Sequence, residues 1–179
     1  MKKTTFSVLL FLTTILTTFA QNDFLDKGNS YLNSQQFEKA EQTFREAIKS
    51  DQTNLIYQCQ LGLTLIQAKK YSDGQKVLDE VLKVDNKNVG AIWYSGIGYF
   101  YNAEYKQANS RFEKALILLD PKSAQYYSAN WFIGKGYSNL LKTDGLTYAE
   151  TDRMFGCYEE YLRLQPNAED ASKIKEYVE

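Results

Sequence analysis

Few side chains in this sequence are of the types that enzymes use for acid–base or nucleophilic chemistry. The chain contains no histidine, the commonest general base and metal ligand. Its two cysteines, Cys59 and Cys157, are too few for a zinc site built on cysteine alone, since structural zinc takes four nitrogen or sulfur ligands. A Ser-Lys or paired-carboxylate enzyme stays open on these grounds alone. We expect no metal and no cofactor.

Two other kinds of residue pair could suggest a catalytic or phosphate site. Glu159–Glu160 and Glu169–Asp170 are adjacent acids, but neighbours on a helix point about 100° apart, so neither pair converges on one substrate atom. Gly96–Gly98 and Gly134–Gly136 are Gly-x-Gly pairs, but a dinucleotide fingerprint needs a third glycine and a preceding strand. We interpret the acids as solvated surface and the glycines as helix-packing positions. We therefore predict no catalytic residue and no enzyme.

The charges of the chain are balanced. Lys and Arg number 21 against 22 Asp and Glu, a formal net charge of −1, and the two signs are mixed along the sequence. A phosphate backbone is recognised through a basic stripe or patch. The sequence has no such stripe, so nucleic acid is not an expected partner.

The first twenty residues have the pattern of an export signal. Two lysines precede a run over residues 6–19 that is apolar apart from Ser and Thr, and the small residue Ala20 follows it. A positive start, an apolar stretch of about a dozen residues and a small residue at the cut are typical of a secretory signal peptide, whereas a membrane-spanning helix needs about 20 apolar residues. We predict cleavage before Gln21, no stable membrane insertion afterwards, and a periplasmic or secreted mature chain. A retained membrane anchor is the alternative.

The elements that position these side chains follow an internal repeat. Gly28, Gly62 and Gly96 are 34 residues apart, and five further positions agree in chemical type across three copies at the same spacing. These positions are Tyr31, Leu65 and Tyr99; Phe37, Tyr71 and Tyr105; Ala40, Gly74 and Ala108; Phe44, Leu78 and Phe112; and Ala47, Val81 and Ala115. Apolar residues recur at three- and four-residue spacing in each copy, which predicts amphipathic helices.

A fourth, looser copy follows, with its glycine at Gly134, 38 residues after Gly96. The stretch Lys142–Leu146 is predicted to insert extra loop before the second helix of this copy. The end of the chain has one apolar face, which predicts a capping helix, as repeat arrays require. This face consists of Ala171, Ile174, Tyr177 and Val178.

The pattern Gly-x2-Tyr, an aromatic residue, Ala, Phe, Ala and a closing Asp-Pro resembles the tetratricopeptide repeat, a helix–turn–helix unit. The resemblance covers residues 21–179. It implies an all-α, right-handed α-solenoid of repeats at about 21–54, 55–88, 89–122 and 123–166, with a cap at 167–179. It also implies a scaffold or adaptor that binds a protein or extended peptide.

Under this resemblance, the two cysteines lie on different helix pairs. Bridged Cα atoms lie within about 7 Å, whereas each packed helix adds about 8–10 Å between axes and several helices intervene. We therefore predict two separate thiols, in spite of the oxidising compartment, and burial of Cys157.

In this family, one stripe of the first helix of each repeat lines a groove. By resemblance the groove residues are Leu25, Asn29, Leu32 and Asn33; Cys59, Leu63, Ile66 and Gln67; Trp93, Ile97, Phe100 and Tyr101; and Trp131, Lys135, Ser138 and Asn139. Trp and Tyr are typical anchors of protein interfaces. The predicted partner-binding residues are therefore Trp93, Tyr94, Ile97, Phe100, Tyr101, Trp131 and Lys135. Changes on the outer helices, such as at Lys76 or Glu113, are expected to affect binding little.

Some family members use this groove to clamp the C-terminal carboxylate of chaperones with Lys, Asn, Asn, Lys and Arg. Of the matching residues here only Asn29 agrees, so that function is not carried over. The matching residues are Leu25, Asn29, Gln60, Gly90 and Tyr94.

Several alternatives stay open at this level. The rings either form a groove open to a partner or pack internally, covered by the fourth repeat or the C-terminal helix. Self-association through the same surface is a second interaction hypothesis. The hypothesis from another class is an envelope enzyme, or a module that binds glycan or peptidoglycan.

Overall fold

A computed structural model describes residues 23–178 of the chain, and the predicted signal segment, residues 1–20, lies outside this part. Residues 23–178 form nine α-helices and no β-strand. The helices are α1 (23–33), α2 (Phe37–Ser50), α3 (Leu55–Gln67), α4 (Tyr71–Val84), α5 (Val89–Tyr101), α6 (Tyr105–Leu118), α7 (Ala124–Thr143), α8 (Tyr148–Leu164) and α9 (Ala171–Val178). Consecutive helices pack on one another along the chain. The predicted all-α solenoid is confirmed.

The turn inside each of the first three helix pairs repeats one backbone conformation. Gln35, Lys69 and Ala103 have φ of 58°, 61° and 61°, in the left-handed region that non-glycine residues seldom adopt. The N–H after each of them donates to the carbonyl five residues earlier, at 2.8, 2.8 and 2.9 Å, which is part of a Schellman motif that closes the first helix. The repeat seen in the sequence is therefore also a repeat of backbone geometry.

The repeat glycines lie where a large side chain of the second helix crosses the first. A Cβ added at Gly62, Gly96 or Gly134 would lie 2.6, 2.9 or 2.7 Å from the side chains of Leu78, Phe112 and Tyr158, respectively, and Gly28 faces Phe44 in the same way. The second glycine of each Gly-x-Gly pair faces the preceding repeat. Both pairs lie within helices, which confirms that they are packing positions.

Ion pairs join neighbouring repeats along their second helices. Arg111 on α6 lies 3.0 Å from Asp79 on α4. Arg153 on α8 donates two hydrogen bonds to Glu113 on α6, at 2.7 and 2.8 Å. Glu113, whose change is predicted to affect partner binding little, thus has a structural role, because its carboxylate holds α8 against α6.

The fourth repeat differs from the prediction in its turn. Helix α7 has 20 residues and continues through Thr143, so Lys142 and Thr143 are helical rather than loop. Gly145, with φ of 75°, ends this helix, and its N–H donates to the Leu140 carbonyl at 3.1 Å. A capping box of Thr147 and Glu150 then begins α8. The inserted residues thus lengthen the first helix and move the turn.

Helix α9 caps the array as predicted. Ala171 and Ile174 are buried, and Ile174 packs with Met154, Tyr158 and Tyr161 of α8. In the part of the chain that the structure describes, no helix is both long and apolar enough to cross a membrane.

Candidate protein-binding surface

Trp93 belongs to an aromatic cluster between the third and fourth repeats. Its ring meets Phe112 and Phe132 edge-on, with centroids 5.3 and 6.2 Å apart. Phe112 and Phe132 stack at 4.7 Å with 9° between their planes, and Phe112 is fully buried. Part of the Trp93 ring is therefore covered by the protein itself, and the residue is half-buried.

Phe132 is a member of this cluster that was not among the predicted binding residues. It precedes Gly134 by two residues, as Tyr94 precedes Gly96. The Tyr94 ring packs against the cluster that contains Cys59 and Ala91, between α3 and α5. Phe132 could have been predicted from its position in the repeat, which is the same as that of Tyr94. Both rings fill the space between successive first helices.

Phe100 connects the two halves of the predicted surface. Its ring lies 5.7 Å from Tyr101 and 6.2 Å from Trp131, and 4.9 Å from Phe132 beneath them. The third and fourth repeats therefore bring their predicted rings side by side. Packing fills part of this surface and leaves two openings beside it.

The first opening is an apolar groove between α3 and α5, with a volume of about 590 Å³. We call it the α3–α5 groove. Its apolar and aromatic lining is formed by Phe37, Leu63, Ile66, Tyr71, Ile97 and Tyr101. Tyr101 is 62% exposed, whereas Ile66 is buried and forms the floor. Ile97 and Tyr101, both predicted binding residues, thus face a groove that opens toward the second repeat as well as the third.

The second opening is a cleft of about 230 Å³ between α7 and α9, which we call the α7–α9 cleft. Trp131, Lys135, Ser138 and Lys142 lie along one stripe of α7. The facing residues are Asp170, Lys173, Ile174 and Tyr177, and Tyr158 of α8 also lines the cleft. Trp131 and Lys135, the predicted binding residues of the fourth repeat, therefore face the cap.

Asp170 holds the two sides of this cleft together. Trp131 Nε1 donates to its Oδ2 at 2.6 Å, and the Tyr161 hydroxyl donates to its Oδ1 at 3.0 Å. The interpretation of Asp170 as solvated surface is therefore wrong. Periodicity could not reveal this role, because the carboxylate accepts from helices outside its own sequence neighbourhood.

The two cysteines are free and buried in separate clusters, and the predicted burial of Cys157 is confirmed. Burial raises the pKa of Cys59 to about 11 and that of Cys157 to about 12. Both thiols stay protonated at neutral pH, unlike the low-pKa thiols of reactive cysteines. Across residues 23–178, no group of three or more Cys, Asp or Glu side chains is placed to hold a metal ion.

The stacked helix pairs and the repeated turn define the class of fold: residues 23–178 form an α-solenoid of the tetratricopeptide type. The tetratricopeptide repeat family model matches residues 24–54. The chain is similar to the TPR repeat-containing protein MJ1428 of Methanocaldococcus jannaschii, at 24% identity over 88% of this chain. It spans only 31% of the length of that relative.

Among solved structures, the fold is similar to that of MamA from Desulfovibrio magneticus RS-1, with a TM-score of 0.70, 16% identity, and coverage of 88% of this chain and 81% of that one. It is also similar to MamA MSR-1, with a TM-score of 0.68 and 17% identity over 89% of this chain and 84% of that one. The Arabidopsis OM64 TPR domain is 26% identical, with a TM-score of 0.54, over 62% of this chain and 90% of that domain.

Proposed function

We propose that this protein is an exported scaffold or adaptor that holds a protein or extended peptide against its first helices, with the α3–α5 groove as the main apolar contact. The observation that supports this proposal most directly is that Ile97 and Tyr101 line an apolar groove of about 590 Å³, in which Tyr101 remains 62% exposed. The similarity to tetratricopeptide-repeat domains supports the same class of function.

The chemistry of the groove suits an apolar side chain of a partner. Leu63, Ile66 and Ile97 offer aliphatic walls and floor, and Tyr101 adds a ring whose hydroxyl can stay in water. Burial of apolar surface contributes about 25 cal/mol per Å². Such a site needs no general base, metal or activated thiol.

Export is part of this proposal, and its support is the charged and apolar pattern of residues 1–20. The proposed place of action is the periplasm or the cell exterior. There the free cysteines are protected from oxidation by burial.

A peptide-display selection against residues 21–179 tests the proposed groove. Peptides that bind the wild-type chain are then measured against Tyr101→Ala and Ile97→Ala. Ile117→Ala is the matched control, because Ile117 is an apolar side chain on the outer helix α6 that is 84% exposed. We expect the groove variants to bind about tenfold more weakly, a loss of about 1.4 kcal/mol, while the control binds normally.

The proposal fails if the selected peptides bind all three variants equally. It also fails if no peptide is enriched against the folded chain. Circular dichroism of each variant establishes that the helices are intact.

A further inference from the structure

Three lysine side chains line the α7–α9 cleft. Lys135 and Lys142 come from α7, and Lys173 comes from α9. Within residues 23–178, none of the three ammonium groups lies within 4.0 Å of a carboxylate oxygen. Other lysines of the described residues also lack an ion pair, but Lys135, Lys142 and Lys173 share the lining of one cleft.

The single acidic residue of the cleft is already engaged. Asp170 accepts hydrogen bonds through both carboxylate oxygens, from Trp131 and from Tyr161. Three lysines against one aspartate give the lining a net charge of +2, in a chain whose formal net charge is −1. The cleft is therefore a local positive site on a protein that is slightly acidic.

The remaining lining is suited to an anionic group on a short apolar stem. Trp131 and Tyr177 provide ring surface, and Ser138, which is 8% exposed, lies with Tyr158 deeper in the cleft. A volume of about 230 Å³ admits a side chain rather than a folded domain. Ammonium groups bond to carboxylates more strongly than to neutral acceptors.

We propose that the α7–α9 cleft binds a carboxylate of an acidic peptide segment in the protein partner. This inference rests on the proposed function, since it names the chemistry of one part of the partner. The Phe100 ring contacts both Tyr101 of the α3–α5 groove and Trp131 of the cleft. A segment with an apolar residue and a nearby acidic residue would therefore reach both openings.

The site differs from the carboxylate clamp found elsewhere in this family. The clamp positions of this chain, of which only Asn29 agrees with the clamp residues, lie on α1, α3 and α5. The cleft instead uses Lys135, Lys142 and Lys173, from the fourth repeat and its cap.

The test uses acetylated tetraglutamate amide as the probe and tetraglutamine amide as its neutral match. The chain has two tryptophans, so the indole N–H signal of Trp131 reports the cleft by NMR and that of Trp93 serves as an internal reference. We expect a saturable shift of the Trp131 signal with tetraglutamate only. The response should weaken as salt rises, because exposed charges are screened.

Charge-removing variants distinguish binding in the cleft from nonspecific attraction to the positive charges of the protein. The triple change K135Q/K142Q/K173Q should weaken tetraglutamate binding about tenfold or more. The control K49Q/K87Q/K114Q removes the same charge from exposed positions elsewhere and should change binding less than about twofold. Circular dichroism checks that both variants stay folded.

Equal losses in the two triple variants would overturn the proposal, because binding would then follow net charge alone. Absence of a saturable Trp131 shift would overturn it as well. So would a response to glucuronate, an acidic sugar, without one to tetraglutamate. Each of these results leaves the α3–α5 groove to be judged by the Tyr101 and Ile97 variants, so the two proposals fail separately.

Discussion

Trp131 Nε1 donates a hydrogen bond of 2.6 Å to Asp170 Oδ2, which joins α7 to the segment just before α9, 39 residues later in the chain. The Tyr161 hydroxyl donates to the other oxygen of the same carboxylate. Two donors from two helices thus converge on one acceptor residue. The placement of the capping helix, and the shape of the cleft beneath it, depend on this carboxylate.

Asp170→Ala should lower the free energy of unfolding by about 1–3 kcal/mol, because two partly buried donors lose their acceptor. Urea unfolding followed by circular dichroism measures the loss. Glu169→Ala is the matched control, since Glu169 is the exposed neighbour. Equal unfolding midpoints for the two variants would show that the carboxylate does not hold the cap.

Gly96→Ala should destabilise the protein by about 1–3 kcal/mol, the usual cost of overpacking a core. The added Cβ would lie 2.9 Å from the Phe112 ring, and Phe112 cannot move easily because Phe132 stacks on it at 4.7 Å.

Gly156→Ala provides the opposite control for this steric effect. Gly156 lies inside α8, and apart from its chain neighbours and the local helix backbone no atom lies within 4 Å of an added Cβ. Alanine favours a helix over glycine by about 0.5–1 kcal/mol, so this variant should be slightly more stable than wild type. Thermal unfolding of both variants gives the comparison, and a stabilised Gly96→Ala protein would contradict the packing argument.

Trp93→Ala should cost about 2–4 kcal/mol of stability, somewhat below the usual cost for a fully buried ring, because Trp93 is half-buried against Phe112 and Phe132. Tyr101→Ala should change stability by less than about 0.5 kcal/mol, because Tyr101 is 62% exposed. Chemical denaturation distinguishes the two. A Trp93→Ala protein as stable as wild type would favour the hypothesis of an open ring available to a partner.

Stability should fall as the pH rises from about 9 to about 12. Burial raises the pKa of Cys59 to about 11 and that of Cys157 to about 12, from the ordinary thiol value of 9.0. Burial likewise raises the pKa of Tyr158 and Tyr161 to about 12, with the Asp170 hydrogen bond contributing at Tyr161.

The direction of this change in stability with pH follows from proton binding. The folded state holds these protons more tightly than the unfolded state, so their contribution is complete below about pH 9 and is lost through the folded pKa values. Urea unfolding at a series of alkaline pH values measures the slope, and Cys157→Ala should make it shallower. A stability that stays level through pH 11 would contradict the expectation.

The export prediction concerns residues 1–20. Expression of the whole sequence in a bacterium should deliver a periplasmic or secreted chain that begins at Gln21, because Ala20 is the small residue that closes the apolar run. Intact mass spectrometry of the fractionated protein identifies the first residue. A membrane-bound product that retains residues 1–20 would refute cleavage.

The repeat and the fold could be predicted because both depend on the spacing of residues that are close in sequence. Gly62 and Leu78 recur 34 residues later as Gly96 and Phe112, and each pair forms the same contact. A short turn between two helices leaves little freedom in how they pack, so period and residue size suffice. The capping helix was predictable for a similar reason, since its apolar face repeats within eight residues.

Tertiary structure alone decided which of the predicted rings are open and what closes the end of the array. The fourth repeat breaks the register, so spacing no longer tells which residue of α7 meets which residue of α9. Asp170 and Trp131 are 39 residues apart, and Glu113 and Arg153 are 40 apart. Contacts at such separations depend on helix length and on the angle at which helices cross. Neither the helix length nor the crossing angle can be derived from the residues that flank a side chain in the sequence.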